Sequence, residues 1–148
     1  MNLETFIRLP RLWQWGGTPV TFDVDGVPTL FPGEDCTTFA ASWVKAVCGV
    51  DPAADLRGAY DTAEGANAVV ASAGGIAKLV GSRIEPLGWR RTEMMDDGAI
   101  GIVSAISGAD ETLKEIPAIR FGPLWAVMGP RGAMAKKLDW TGVAWRLP

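Results

Sequence analysis

The sequence predicts an α+β fold, with helices first and a small antiparallel sheet after them. Three observations carry that expectation. Apolar residues recur at helical spacing through much of the chain before Gly98. Beyond Gly98 they gather into short runs cut by Gly and Pro, as strands do. An Asp-Gly pair between two alternating runs marks a hairpin ahead of the main helices.

Taken in order, Asn2 to Leu12 reads as a short amphipathic helix with Leu3, Phe6 and Ile7 on one face, ended near Pro10. Val20 to Val24 alternates, Asp25-Gly26 supplies a favoured two-residue turn, and Val27 to Leu30 returns, with Pro28 marking an edge strand. Asp35 is a good N-cap, and Phe39, Ala40, Trp43, Val44 and Val47 repeat at helical spacing as far as Gly49. Cys36 therefore falls in a first helical turn, where free N–H groups and the helix dipole favour a thiolate. Asp51-Pro52 predicts a second short helix, stopping near Gly58. Asp61-Thr62-Ala63-Glu64 reads as a capping box with Asp at the cap, opening an Ala/Val-rich helix that ends at Gly74-Gly75, after which Ile76 to Val80 resumes for a turn or two. Strands are expected at Ala99 to Val103, Ala118 to Phe121, Leu124 to Met128 and Val143 to Leu147.

The chain contains no histidine, which decides much about its chemistry. Ser-His-Asp and Cys-His catalysis need an imidazole near neutral pH, and the common catalytic zinc sites use imidazole ligands. Two cysteines cannot supply a four-ligand zinc site. On one continuous helix Cys36 and Cys48 would stand roughly 18 Å apart, too far for a disulfide. The sequence implies no cofactor and no metal.

At 148 residues with 48% hydrophobic content, the chain fits a single domain, residues 1–148, with a core of ordinary size. Its apolar stretches are broken well before the roughly 20 residues of a membrane span, and Met1-Asn2-Leu3-Glu4 lacks the basic start of a signal peptide. The expected setting is a reducing cytoplasm, or a particle assembled there. A net charge of −3 with scattered cations argues against nucleic acid as a partner. Seven tryptophans against one tyrosine admit two readings: core and rim packing, or surface held for partners. Under the second reading the interface candidates are Trp125 and the hairpin residues Phe22, Asp25 and Gly26.

Several segments together carry a resemblance. They are Trp13-Gln14-Trp15-Gly16, Asp35-Cys36 at a helix start, the run from Asp51 to Tyr60, Thr62-Ala63-Glu64-Gly65-Ala66, and the closing Ala144-Trp145-Arg146. In these the chain resembles small NlpC-type, papain-like proteins encoded in tailed phages, prophages and gene transfer agents. The resemblance implies a papain-like fold, helices packed on an antiparallel sheet, with residues 18–32 as an inserted hairpin. It implies Cys36 at the nucleophile position, and a trade either in building tails or in cutting peptidoglycan. The base position maps to about Pro117-Ala118-Ile119 and the orienting residue to between Trp125 and Met128, all apolar here. Because a positioned acid or base is worth about 10² to 10⁴ in rate, Cys36 alone would be a poor hydrolase. Glu34 and Asp35 are the nearest carboxylates that could substitute, with Asp35 expected to serve as the helix cap. The expectation is a catalytically inactive tail or tail-tip protein in the virion, assembled in the bacterial cytoplasm with other tail proteins as partners. The alternative is a peptidoglycan hydrolase using Cys36 with an unusual or partner-supplied base.

Overall fold

Helix α1 (Leu3–Arg8) begins where the Asn2 side chain accepts the Thr5 N–H at 2.8 Å, and it turns Leu3 and Phe6 into the core. The structure is a computed structural model and describes residues 1–106 and 112–148. Strand β1 (Leu12–Trp13) pairs in parallel with β4 (Gly33–Glu34). Between them β2 (Val20–Val24) and β3 (Val27–Phe31) form the expected hairpin as a separate two-stranded sheet. Asp25 and Gly26 take φ of 50° and 80°, the left-handed pair that a tight hairpin turn requires.

Helix α2 (Cys36–Cys48) runs between the boundaries the sequence marks, from the Asp35 cap to Gly49 in the left-handed conformation. Its buried face, Phe39, Ala40, Trp43 and Val44, lies against the sheet together with Phe6, whose ring is 5.5 Å from Phe39 and 5.3 Å from Trp43. The Asp51 to Gly58 segment is a succession of turns and not the expected helix. Asp51 spends its carboxylate on the Ala53 N–H and on Arg57, and those local bonds hold a tighter path than a helix. Helix α3 (Ala63–Ser72) is capped by Thr62, one residue after the expected Asp61, and buries none of its side chains fully. Helix α4 (Ile76–Ile84) extends a turn beyond the expected stop at Val80, because Gly81 gives the close approach that lets it lie on Trp145.

The remaining strands are β5 (Arg90–Arg91), β6 (Ile100–Ile106), β7 (Leu113–Phe121), β8 (Leu124–Gly129), β9 (Gly132–Lys136) and β10 (Asp139–Arg146). They form one antiparallel sheet in the order β5-β10-β6-β7-β8-β9. The molecule is thus α+β as the sequence predicts. Alternation along the strands sends Ile100, Ile102, Ile119, Ala126 and Met128 toward the helices. Val103, Ala105, Ile116, Ala118, Trp125 and Val127 form a second apolar cluster, with Trp13, Leu138 and Trp140 packed against it.

This arrangement corrects one expectation about the surface. Trp125, named above as an interface candidate, is only 1% exposed. Its ring lies over Gly101, where an added Cβ would come within 2.5 Å of it, and the Arg120 guanidinium sits 4.9 Å from the ring centre. Trp43, Trp89 and Trp145 are buried as well, so tryptophan enrichment here mainly reports core packing.

Candidate functional site

The site begins with Asp35. Its Oδ1 accepts the N–H groups of Thr37 and Thr38 at 3.0 and 2.9 Å, and the Asp35 N–H donates back to the Thr38 hydroxyl at 2.9 Å, completing a capping box. Its Oδ2 accepts the Gly16 N–H at 3.0 Å and the Tyr60 hydroxyl at 2.6 Å. One carboxylate, 2% exposed, therefore ties together the N-terminal segment, the turns after α2 and the start of α2 itself. Burial, and then the Asp35 charge, hold the Tyr60 phenol far above its ordinary value, so it remains a proton donor.

Cys36 follows at the first position of α2 and is 6% exposed. Its Sγ lies 3.6 Å from the Met128 carbonyl oxygen, within reach for the thiol to donate to it. The sequence of β7 explains why that carbonyl faces the thiol. Strands β7 and β8 are paired only from Ile119 to Phe121; continued, the register would set Met128 opposite Pro117, which has no N–H to give. Cys48, at the far end of the helix, is unbridged like Cys36, and its Sγ lies 3.1 Å from the Val44 carbonyl.

Cys36 forms part of the wall of an open pocket of about 330 Å³ between α2, α3 and the start of β7. Asp35, Thr37 and Tyr60 line one side, Ala66, Asn67 and Val70 of α3 another, and Lys114, Glu115 and Ile116 the third. The expected base position, Pro117 to Ile119, is buried in the sheet, so the charged groups near the thiol come from three residues earlier on the same strand. The spacing gave no signal for Lys114, Glu115 or Asn67. Tyr60 stood in the quoted Asp51 to Tyr60 run, without a role attached.

Glu34 does not line this pocket. It is buried, with Oε1 accepting from Ser42 at 2.8 Å and Arg57 at 3.2 Å, while Oε2 has no hydrogen-bond partner among the described residues. Burial pushes its carboxyl above the ordinary value, against the pull of Arg57. Arg57 also bonds Asp51 at 2.7 Å, Ser42 at 2.9 Å and the Gly17 carbonyl at 3.1 Å, which makes it the clamp between α2 and the turns that follow. Both carboxylates considered as substitutes for a base are therefore committed elsewhere, Asp35 as cap and Glu34 to Arg57. Among the described residues no cluster of three or more Cys, Asp or Glu could hold a metal ion.

The hairpin candidates occupy the opposite kind of environment. Phe22 is 57% exposed, Val27 61% and Leu30 68%, and Asp25 and Gly26 form the exposed turn. Register places Val20, Phe22, Val24, Val27 and Phe31 on one face, with Leu30 on the other.

Fold and site together define an α+β protein with a cysteine at a helix N-terminus, set against an antiparallel sheet and beneath a pocket of mixed polarity. The chain belongs to the family described as Domain of unknown function (DUF6950), whose model matches residues 18–147. That match takes in the hairpin. No curated protein and no solved structure gives a significant match to the chain. No described helix is long and apolar enough to cross a membrane.

Proposed function

We propose that the protein is a non-hydrolytic building block of a phage tail or tail tip, a papain-like scaffold used for assembly in the bacterial cytoplasm and carried in the virion. The observation that carries this reading is the β2–β3 hairpin. A two-stranded ribbon with Phe22, Val24, Val27 and Leu30 in solvent is too small to be stable alone, and a neighbouring subunit of the particle would cover it. The cysteine site supports the same reading, since Cys36 is bonded to Met128 and the nearest carboxylates hold structural bonds. The likeness of the motif segments to tail-encoded proteins supplies the setting.

The test is excision of Val20–Phe31 with Pro19 joined to Pro32. The shortened protein should fold and stay soluble, because loop closure there costs little, and it should fail to enter particles. Unfolding of the excised protein would place the hairpin in the core and remove the main support for assembly.

The pocket favours one further reading, a peptidoglycan-directed cysteine hydrolase in which Lys114 or Glu115 moves the proton. Cleavage of stem peptides above a Cys36→Ala control would establish it. The assembly reading expects no difference between the two proteins.

A further inference from the structure

The six-stranded sheet has two edges of different character. One ends in β5, two residues long and carrying the exposed Arg90 and Arg91, the sort of strand that resists further pairing. The other ends in β9, five residues without proline, whose backbone bonds β8 on one side. On its other side no hydrogen bond joins β9 to any described residue. Residues 129–138, Gly-Pro-Arg-Gly-Ala-Met-Ala-Lys-Lys-Leu, carry three cations and no acid. Arg131, Lys136 and Lys137 are exposed and make no ion pair among the described residues.

The hairpin is the complement of this edge. Residues 18–32 contain Asp23 and Asp25 and no cation, and both carboxylates are exposed and unpaired among the described residues. Its β3 side carries Pro28, which cannot donate to a new ladder, while the β2 side, Val-Thr-Phe-Asp-Val, contains no proline. Helix α1 packs near β9 and the Arg11 carbonyl lies close to Gly132, but the outer backbone groups of β9 bond no described residue. An uncovered apolar ribbon with a negative tip and a sheet edge with unpaired outer backbone groups, flanked by positive charge, thus occur on one chain.

We infer that the hairpin of one copy docks on the β9 edge of a second copy, with β2 adding as a further strand. Main-chain bonds along the edge supply the attachment, as in other strand-addition interfaces. Asp23 and Asp25 set against Arg131, Lys136 and Lys137 select the partner and speed encounter. The added strand also shields the half-buried Ala133, Met134 and Ala135 of β9, and Phe22 and Val24 leave solvent. Donor and acceptor are different surfaces, so the contact either closes reciprocally into a dimer or continues as a ring or filament. The inference rests on the assembly reading and names its nearest neighbour, a second molecule of the same chain.

Two charge-reversed proteins test it, Asp23→Lys with Asp25→Lys, and Arg131→Glu with Lys136→Glu and Lys137→Glu. Light scattering behind gel filtration at low salt should find wild type assembled and each variant monomeric, with unchanged circular dichroism. The two variants mixed in equal amounts should assemble again, since opposite charges then face each other. Wild type that stays monomeric at high concentration overturns the inference, as does a mixture that does not recover. The assembly reading is scored separately by particle entry of the Val20–Phe31 excision. A protein that is monomeric alone yet needs its hairpin to enter particles keeps that reading and names an unlike subunit as the partner.

Discussion

Asp35→Ala should destabilise the protein far more than the loss of a helix cap does. Removing the cap alone costs about 0.5–2 kcal/mol. In this structure the same carboxylate also accepts the Gly16 N–H at 3.0 Å and the Tyr60 hydroxyl at 2.6 Å, from a side chain that is 2% exposed. Leaving a buried donor unsatisfied costs about 1–3 kcal/mol, and bonds that share one acceptor group do not add fully. The expected total is about 3–5 kcal/mol, a large share of the roughly 5–15 kcal/mol available to a domain. Asp35→Ser separates the contributions, because a hydroxyl can cap Thr38 but has no second oxygen for Gly16 and Tyr60. It should recover about 1 kcal/mol. Urea unfolding followed by tryptophan fluorescence measures all three proteins. A cost for Asp35→Ala of no more than about 1 kcal/mol, or full recovery with Ser, would refute the view that this carboxylate joins three segments.

Trp43→Ala should cost about 3–5 kcal/mol, as its ring is buried against Phe6 and its Nε1 donates to the Gly98 carbonyl at 2.9 Å; a much smaller shift in the unfolding midpoint would show that α2 packs otherwise. Gly101→Ala should lose about 1–3 kcal/mol by forcing Trp125 from its place, and an unchanged melting curve would contradict that packing. For Glu34 the folded protein favours the protonated carboxyl, so the stability it contributes is present below the ordinary carboxylate value and lost as pH rises through the raised one. Wild type should therefore gain on Glu34→Gln as pH falls through that window. Parallel stability curves for the two proteins, or a relative loss by wild type, would reverse the assignment.

What the sequence made legible was what local chemistry determines. Asp35 and Gly49 fixed both ends of α2, and Asp25-Gly26 fixed the hairpin, because each conformation depends on the residues that adopt it. The turns after Asp51 were not legible, since they depend on Arg57 reaching back to Glu34, Ser42 and Gly17. Strand β9 escaped notice because Gly-Ala-Met-Ala-Lys has no β-branched residue and is a strand only through pairing with β8. The site was half visible: Cys36 and its cap follow from the helix start, whereas Lys114, Glu115 and Asn67 reach the pocket through tertiary packing. Exposure was misjudged at Trp125, where periodicity names a strand but not which face is covered.

The family match begins at residue 18, yet the physical unit begins earlier. The buried Arg11 lies 4.5 Å from the Phe6 ring centre and 4.9 Å from that of Phe39, and donates to the Phe6 carbonyl at 2.9 Å. Gly16 supplies one of the four hydrogen bonds that the Asp35 side chain accepts. A molecule cut at the edge of the match would open the apolar face of α2 around Phe39 and Trp43 to water, and would leave Asp35 short of a donor. The residues ahead of the matched span are thus part of what keeps α2 folded, and truncations for study should retain them.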